Sequence, residues 1–425
     1  MRKLAVAAAI LAASVCSLAA QGLDTLRIFS VTANPSADAS TGMNVSWGCD
    51  TATTGAQLLF TTASDRKWKK AVEVPSQAEL CTCYDSVYSR AAGGADFYED
   101  ARFCKYGAQI RGLEPDTRYK YKVVAKAADG TSVESPDHFF KTAGSGKWNA
   151  CIISDFHCYP PLNGRLVAAM NMIETVKDYK PFDWVLNLGD VCAWGGSYSF
   201  WTYLYKEKPF HDYMWAGVNG NHDNMTRQYR LTGDFFRNAN YVPRNGYEGQ
   251  EGVCYWFKYN DALFVMLNNE EMRDSTAFEA ARAWTEKVLT EQGKDVRYKI
   301  VCEHYQWFYG HNGASSQYRR WHETFERCGV DLALAGNNHY YVRAHSGGVT
   351  YVQTPSSDNE RGQGPLKALE ENADKVDFRW NEGPHTVGAL HMAVSAKCIE
   401  LNLLDRRGRV IDSVKIPAKK SVKNK

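Results

Sequence analysis

The size and composition of the chain favour a folded protein of two domains. Its 425 residues are more than one ordinary hydrophobic core accommodates. An apolar fraction of 44%, with 13% aromatic residues, excludes global disorder. A formal net charge of +2 excludes nucleic-acid binding driven by overall charge, so any affinity for phosphate must be local.

The first twenty residues predict an export signal. A positively charged start leads into an apolar stretch at residues 4–15, and small residues before Gln21 offer cleavage sites. That stretch is too short to span a bilayer, and no other window predicts a transmembrane helix. We therefore expect a periplasmic or secreted protein. Cys16 leaves a lipid-anchored alternative, which Val15 disfavours because a small residue is expected there.

Twelve cysteines in an exported chain allow disulfide bonds. Removal of the signal, which contains one of them, leaves an odd number, so at least one thiol stays free or pairs with another chain. Cys158 and Cys192 each closely follow a motif of candidate ligands, so one hypothesis is a bridge between them that braces the site. Another is a local bridge among Cys81, Cys83 and Cys104. Cys151, Cys254, Cys302 and Cys328 are expected to be small buried apolar residues.

Residues 21–143 predict an all-β domain. Short segments that alternate apolar and polar residues are separated by clusters of Gly, Pro and Asp. Residues 113–119, in the order Leu-Glu-Pro-Asp-Thr-Arg-Tyr, resemble the corner of fibronectin type III-like sandwiches. The segment 79–104 is longer than such a domain needs and is interpreted as an insertion. A short Gly- and Ser-containing linker at 143–147 then leads into the second domain.

Residues 147–420 predict an α/β domain, because strand-like and helical periods alternate from Trp148 onward. The predicted helices are 164–178, 276–291 and 315–327. The predicted strands include a hairpin at 253–257 and 262–267, and later segments at 340–344, 349–354, 388–394, 399–404 and 410–416. Residues 361–384 are interpreted as a charged loop with a helical turn, and residues 419–425 as a solvated tail.

Five short apolar runs in this second domain each end in residue types that bind metals. The residues that follow the runs are Asp155 and His157, then Asp190, then Asn221, His222 and Asp223, then Glu303 and His304, and finally Asn337 and His339. Ligands of open α/β sheets bind beyond the carboxyl ends of the strands, so we expect these side chains in one crevice. Carboxylate, imidazole and amide groups suit zinc, iron and manganese. Each motif alone is weak, and the ordered set carries the prediction.

This ordered set resembles the calcineurin-like metallophosphoesterase superfamily, whose pattern is D-x-H, G-D, G-N-H-[DE], H and G-H-x-H. The resemblance covers residues 148–420, and the β-domain before it makes the chain similar to purple acid phosphatases. Residues 304–308 are similar to the H-S-P-W-Y segment of that family, and residues 336–343 to its G-H-V-H-x-Y-x-R segment. The implied fold is α/β, with a β-sandwich core flanked by helices and preceded by a fibronectin type III-like sandwich.

The resemblance implies two divalent or trivalent metal ions of iron, zinc or manganese. The first ion would be held by Asp155, His157, Asp190 and His339, and the second by the bridging Asp190 with Asn221, His304 and Asn337. A water or hydroxide between the ions would be the nucleophile. Asn337 stands where the family usually has His. An amide oxygen is a weaker and harder ligand, so the second ion is expected to bind weakly or to be manganese or magnesium.

Further roles follow from the same resemblance. His222 is the candidate general acid or phosphate-oxygen donor, and Asp223 would orient it, cap the following helix, or do both. His311 is interpreted as a phosphate contact or as an exposed loop residue. Arg343 would pair with phosphate or with a structural carboxylate, and the structural role is favoured. Nearby aromatic residues either line a pocket or pack in the core, namely Tyr159, Trp194, Tyr198, Trp307 and Tyr309.

The function that the sequence favours is that of an exported, acid-phosphatase-like phosphoesterase acting on a small-molecule phosphate ester. A phosphodiesterase fits the same residues. Asn337 motivates a third hypothesis, a metal-binding or scaffold protein with a degenerate site. A fourth, in which the β-domain is an adhesion module, has no distinctive aromatic platform to support it. The sequence predicts neither the natural substrate nor the oligomeric state.

The alanine at position 193 makes the colour of the iron-loaded protein predictable. Purple acid phosphatases have a tyrosine ligand three residues after the bridging aspartate, and its charge transfer to ferric iron produces their colour. Because Ala193 holds that position, we expect iron-loaded protein to lack a strong tyrosinate-to-iron absorption band. A visible absorption spectrum of the purified, iron-reconstituted chain checks this, and a strong band of that type would contradict it.

Overall fold

The computed structural model of the chain describes residues 26–88, 96–160, 164–225, 235–268, 275–308, 317–357, 373–383 and 386–419. The predicted export signal at residues 1–20 lies outside these ranges, as do His311 and Tyr309. The export signal and the roles of these two residues therefore remain predictions.

The N-terminal region is built from strands, as its alternating sequence predicts. Within the described ranges they are β1 (Ile28–Pro35), β2 (Gly42–Cys49), β3 (Thr53–Thr62), β4 (Val72–Val74), β5 (Ser76–Tyr88), β6 (Asp96–Arg111), β7 (Arg118–Ala127), β8 (Ser132–Glu134) and β9 (His138–Lys141). Trp47 of β2 and Tyr121 of β7 belong to different sheets and are buried in one core. At the predicted corner, the Tyr119 hydroxyl accepts a hydrogen bond from the Glu114 N–H at 2.9 Å. The fibronectin type III designation stays a prediction.

The segment predicted as an insertion forms part of a long antiparallel hairpin. Strands β5 and β6 pair continuously from Ser76 opposite Ala108 to Tyr88 opposite Asp96. The extra length therefore continues the sheet beyond its neighbouring strand β2, whose pairing with β6 ends at Cys49.

The remainder of the chain alternates strands and helices. Its described strands are β10 (Trp148–Ile153), β11 (Trp184–Asn187), β12 (Met214–Gly217), β13 (Tyr255–Tyr259), β14 (Ala262–Met266), β15 (Tyr298–Cys302), β16 (Leu332–Ala335), β17 (Tyr341–Ser346), β18 (Val349–Gln353), β19 (Val376–Trp380), β20 (Gly388–Val394), β21 (Cys398–Asp405) and β22 (Val410–Pro417). Its described helices are α1 (Gly164–Tyr179), α2 (Tyr198–Leu204), α3 (Lys208–Asp212), α4 (Phe235–Ala239), α5 (Ser275–Glu291) and α6 (Gln317–Cys328). The three longer helices and the hairpin β13–β14 confirm the predicted elements. The expectation of a loop throughout 361–384 was wrong, because β19 pairs with β17.

Two large sheets form the core of this second part and face each other. One contains the order β22-β21-β20-β10-β11-β12-β1-β2-β6-β5, and the other the order β13-β14-β15-β16-β18-β17-β19. Trp184 on β11 contacts Phe257 and Phe264 of the opposite sheet, with ring centroids 5.8 and 5.2 Å apart. Helix α1 packs on the outer face of the first sheet, whereas α5 and α6 cover the second. The mixed α/β fold with an N-terminal β domain is thus confirmed.

The first sheet continues across the division that the sequence predicts at residues 143–147. Strand β1 lies parallel to β12, with Ala33 opposite Met214, and antiparallel to β2. The Asn34 side chain reinforces this junction, because its amide donates to the Trp215 carbonyl at 2.9 Å and its oxygen accepts from the Tyr241 N–H at 2.8 Å. The N-terminal strands are therefore hydrogen-bonded to the strands that carry the polar motifs.

The structure does not contain the disulfide bond predicted between Cys158 and Cys192. Cys158 and Cys192 lie opposite each other in a short parallel bridge, yet both are free and buried, so the predicted disulfide was wrong. Burial raises the pKa of both thiols, which disfavours the thiolate needed for disulfide formation. Cys81 and Cys104 are also free, and the side chain of Cys83 is outside the described part of the structure. Across the described ranges, no helix has the length and apolar character needed to cross a membrane.

Candidate metal centre

The five polar motifs follow the carboxyl ends of strands in the two facing sheets. In the first sheet, β10, β11 and β12 are parallel and end at Ile153, Asn187 and Gly217. In the second, β15 and β16 are parallel and end at Cys302 and Ala335. Parallel strands that end at one edge bring the following residues together, so the predicted crevice forms between the two sheets.

The backbone at this edge is held in the left-handed region, which side chains other than glycine rarely adopt. The φ angles are +54° at Asp155, +45° at His157, +53° at Asp190, +74° at Asn337 and +61° at His339. Each residue in this conformation raises the free energy of the folded state by roughly 1–3 kcal/mol. It persists only where surrounding contacts hold the backbone in place. All five residues lie in the segments that follow the strand ends.

The Asp190 carboxylate lies at the centre of the crevice. Its Oδ2 is 3.3 Å from the Nε2 of His157 and 3.2 Å from the Nε2 of His304, while its Oδ1 accepts a hydrogen bond from the His222 N–H at 2.8 Å. His157 follows β10 of the first sheet, and His304 follows β15 of the second. One carboxylate oxygen between two imidazole nitrogens is the arrangement expected of a ligand shared by two cations.

Two positions near Asp190 require glycine because their backbones pass close to ligand side chains. A Cβ on Gly220 would lie 2.2 Å from the Asp190 Oδ1, and a Cβ on Gly189 would lie 2.5 Å from the Nδ1 of His304. The glycines of the G-D and G-N-H-D motifs therefore leave room for two ligand side chains.

Asp155 organises the other side of the crevice. Its carboxylate Oδ1 lies 3.4 Å from the Nε2 of His339. Its backbone carbonyl accepts hydrogen bonds from the Nδ1 of His157 at 2.9 Å and from the Ser356 hydroxyl at 2.7 Å. A donor at Nδ1 leaves the Nε2 of His157 to act as a metal ligand, and His304 is oriented similarly by the Leu188 carbonyl at 2.7 Å.

The pKa shifts record strong attraction between these buried groups. Burial alone would raise the pKa of Asp190, but the imidazoles of His304 and His222 hold it well below its usual range. Burial alone would lower the pKa of His304, but Asp190 and Asp155 raise it to about 10. A cation attracted by the same carboxylates would compete with these protons, so metal binding and proton release are coupled.

Asp223 does not orient the His222 ring, so that prediction was wrong. Its Oδ2 accepts hydrogen bonds from the N–H groups of Asp190 at 2.8 Å and Gly220 at 3.0 Å, and its Oδ1 accepts one from Cys192 at 3.0 Å. Burial and the neighbouring Asp190 raise the pKa of Asp223 to about 7. Asp223 instead ties two motif loops together through their backbones.

The imidazole of His222 is oriented by a backbone carbonyl. Its Nδ1 lies 2.9 Å from the Ala193 oxygen, and a ring nitrogen of His222 lies within 4.8 Å of ligand atoms of His157 and Asp190. His222 is half-buried, and its ring centroid is 5.4 Å from that of Trp194. His222 is therefore more exposed than the fully buried Asp155, His157 and Asp190.

The two asparagines have different surroundings. The Asn221 Oδ1 is buried, and no described residue donates a hydrogen bond to it. The Asn337 backbone N–H donates to both carboxylate oxygens of Asp155 at 3.1 and 3.0 Å, and its carboxamide nitrogen donates to the Gln306 Oε1. A buried amide oxygen without a donor fits a metal-ligating role for Asn221.

Two further predictions concern residues around the crevice. Arg343 pairs with Asp412 at 2.7 Å and with Asp377 at 2.9 Å, which confirms its structural role. Trp307 is fully buried and packs against Phe325, so it belongs to the core. Tyr198 has no described side chain.

The donor set fits a dinuclear metal centre. Atoms within 4.8 Å of one another are offered by three groups, namely Asp155, His157 and His339, then Asp155, Asp190 and His304, and then His157, Asp190 and His222. Each carboxylate is shared between groups, and the imidazole nitrogens face them. Such a set of carboxylate and imidazole ligands suits zinc, iron or manganese.

Comparison with protein families agrees with this geometry. Residues 28–142 match the N-terminal domain of purple acid phosphatases, and residues 150–346 match the calcineurin-like phosphoesterases. The chain therefore combines a purple-acid-phosphatase N-terminal domain with a calcineurin-like phosphoesterase domain. The fold of purple acid phosphatases implies a dinuclear metal centre, which agrees with the clustered ligands described above.

Similar proteins are distant in sequence. An uncharacterized protein of Mycobacterium tuberculosis, found in strains CDC 1551 and H37Rv, is 24% identical over 277 residues, which is 56% of this chain and 50% of that protein. The chain thus spans about half the length of the curated relatives it matches.

Solved structures share the fold. The purple acid phosphatase PPD1 from yellow lupin superposes with a TM-score of 0.71 at 16% identity, over 93% of this chain and 75% of that one. PhoD has a TM-score of 0.58 at 12% identity, over 93% of both chains. GAP50, the anchor in the inner membrane complex of Plasmodium, has a TM-score of 0.50 at 15% identity, over 65% of this chain and 91% of that one.

Some supporting residues were missed by the sequence analysis. Ser356 and Gln306 lie far along the chain from the atoms they contact in Asp155 and Asn337, and serine and glutamine are common in loops. The one available signal was Gln306, which stands in the segment similar to H-S-P-W-Y where that pattern has proline.

We expect Asp223→Ala to destabilise the metal-free protein. The substitution removes the acceptor of three buried N–H groups, and an unsatisfied buried donor costs about 1–3 kcal/mol. The free energy of unfolding should fall by about 2–5 kcal/mol in urea denaturation with a chelator present. Asp178→Ala, at an exposed position of α1, is the control and should stay within about 0.5 kcal/mol of wild type. An equal effect of the two substitutions would contradict the role assigned to Asp223.

Proposed function

We propose that this protein is an exported metal-dependent phosphoesterase that hydrolyses a small-molecule phosphate ester. The observation that carries the proposal is the Asp190 Oδ2, which lies 3.3 Å from the Nε2 of His157 and 3.2 Å from that of His304 at the ends of two facing sheets. The calcineurin-like phosphoesterase family and the similar fold of purple acid phosphatase PPD1 support the same chemistry.

The proposed ligand assignment follows the two sides of the crevice. Asp155, His157 and His339 would hold the first ion with Asp190, and Asn221, His304 and Asn337 would complete the second. Two cations held there would supply an activated water as nucleophile and would neutralise the charge of the phosphate oxygens. The protein residues hold the imidazole tautomers through backbone carbonyls and keep Asp190 in place through Asp223.

His222 is the proposed proton donor. The Ala193 carbonyl lies 2.9 Å from Nδ1 and fixes the orientation of the ring. A protonated imidazole carries a hydrogen on both ring nitrogens. In that form, His222 can protonate the leaving group or donate a hydrogen bond to a phosphate oxygen.

Export remains part of the proposal. It is supported by the charged start, the apolar stretch at residues 4–15 and the small residues before Gln21. The first residue of the mature protein, read by N-terminal sequencing, tests it, and an intact Met1 would count against cleavage.

The competing function is that of a non-catalytic anchor or scaffold. It is favoured by Asn337 in place of the family histidine and by the fold shared with GAP50 of Plasmodium, which is an anchor. The ligands Asp155, His157, Asp190 and His304 stand together in the crevice, which favours catalysis.

We expect Asp190→Asn to abolish turnover of an aryl phosphate monoester and of the matching diester. The amide removes the negative charge placed between His157 and His304, and the loss should exceed the roughly 10- to 100-fold that changes to outer-shell residues cost. Steady-state kinetics with manganese, zinc or iron added measure this. Asp178→Asn, an exposed change on α1, is the matched control. Undiminished turnover in Asp190→Asn would overturn the two-metal proposal, and wild-type protein that binds metal but hydrolyses neither ester would favour the scaffold.

We expect His222→Asn to slow the enzyme most for poor leaving groups. An alkyl phosphate needs a proton donor, so its kcat should fall about 10²–10⁴-fold, whereas a nitrophenyl phosphate should lose less. Kinetics with both substrates measure the difference, and His345→Asn on the exposed side of β17 is the control. An equal loss for both substrates would assign His222 to phosphate binding and exclude the acid role.

A further inference from the structure

Gln306 is a buried amide at the edge of the second predicted metal position. It lies two residues after His304 and is 4% exposed. Its Oε1 accepts a hydrogen bond from the carboxamide nitrogen of Asn337. The contact therefore links the loop after β15 to the loop after β16.

Asn337 is held at both its backbone and its side chain. Its backbone, at φ +74°, donates to the Asp155 carboxylate at 3.1 and 3.0 Å. Its carboxamide nitrogen is occupied by Gln306, whereas no described residue donates a hydrogen bond to its carboxamide oxygen. Only the oxygen of an amide offers a lone pair to a cation, so the orientation of this group decides whether Asn337 is a ligand.

We infer that Gln306 is a positioning residue that turns the Asn337 carboxamide so that its oxygen binds the second metal ion. This inference rests on the two-metal centre of the proposed function and extends it. Without an acceptor at position 306, the amide can rotate and present its N–H₂ group to the cation, which repels it. A glutamine oxygen thus makes asparagine usable where the family has histidine.

The donor atoms of the second site indicate which class of cation it would prefer. Asp190, Asn221 and Asn337 would supply three oxygens, and His304 one nitrogen. Oxygen donors favour harder cations, whereas an additional imidazole would favour zinc. The second site should therefore select manganese over zinc more strongly than a site with histidine at position 337 does.

The test measures metal binding by the full chain, separately from activity. Metal-stripped protein is titrated with Mn²⁺ and with Zn²⁺ by calorimetry, and bound Mn²⁺ is followed by electron paramagnetic resonance. We expect two Mn²⁺ per chain in wild type. Gln306→Leu should weaken the second equivalent about 10- to 100-fold and leave the first unchanged, because loss of a supporting contact has that effect on metal affinity. Gln306→Glu keeps an acceptor oxygen and should keep the second equivalent.

Two other variants complete the design. Gln353→Leu is the matched control, since Gln353 is a buried amide that donates to the Tyr340 carbonyl at 3.3 Å. It should bind both equivalents as wild type does. Asn337→His should shift the second site towards Zn²⁺ by at least about tenfold, and it tests the ligand assignment even where Gln306→Leu fails to fold.

The outcomes separate this inference from the proposed function. Unchanged second-site affinity in Gln306→Leu, a single Mn²⁺ in wild type, or loss of both equivalents in Gln306→Leu overturns the role of Gln306. So does an unchanged metal preference in Asn337→His. Two Mn²⁺ in wild type, with selective loss in Gln306→Leu and no hydrolysis of any ester, supports the inference while the proposed function fails.

Discussion

The attraction between the Asp190 carboxylate and the imidazoles on either side of it joins the two facing sheets. Its Oδ2 lies 3.3 Å from His157, which follows β10, and 3.2 Å from His304, which follows β15. These strands belong to different sheets. The Asp190 carboxylate therefore fixes the distance between the two sheets at this edge. The aromatic packing of Trp184 on Phe257 and Phe264 holds the sheets together below it.

Several neighbouring groups stabilise the buried carboxylate of Asp190. Burial opposes its charge, and the imidazoles of His304 and His222 compensate. Asp223 adds a second buried carboxylate, which holds the Asp190 and Gly220 backbones rather than any imidazole. The left-handed backbone of Asp190 is tolerated because these contacts determine it. Strain, burial and charge are therefore concentrated where the chemistry is proposed.

The N-terminal β domain is structurally continuous with this centre. Strand β1 extends the sheet of β10, β11 and β12, and Asn34 bonds it to Trp215 and Tyr241. Strand β12, with which β1 pairs, leads into the G-N-H-D motif that contains Asn221. The long hairpin β5–β6 then extends the same sheet at its far edge.

Much of this protein was predictable from the sequence because local patterns carry the information. Apolar runs predicted the core strands, and the residues after them predicted the crevice that contains Asp155, Asp190 and His304. Periodicity also predicted the three long helices. The family resemblance supplied the pairing of ligands with metal ions, which stays a proposal.

Other features depended on contacts between distant parts of the chain, and the sequence alone determined none of them. The partners of Asp223 are backbone N–H groups of neighbouring loops, and backbone groups leave no signal in a sequence. The contact of Gln306 with Asn337 likewise depends on tertiary structure, as does the free state of the Cys158 and Cys192 thiols. The sequence by itself determined which side chains reach the crevice, because strand period and residue type are local. The tertiary structure decided how each is oriented, because orientation depends on hydrogen-bond partners that only the packed sheets bring within reach.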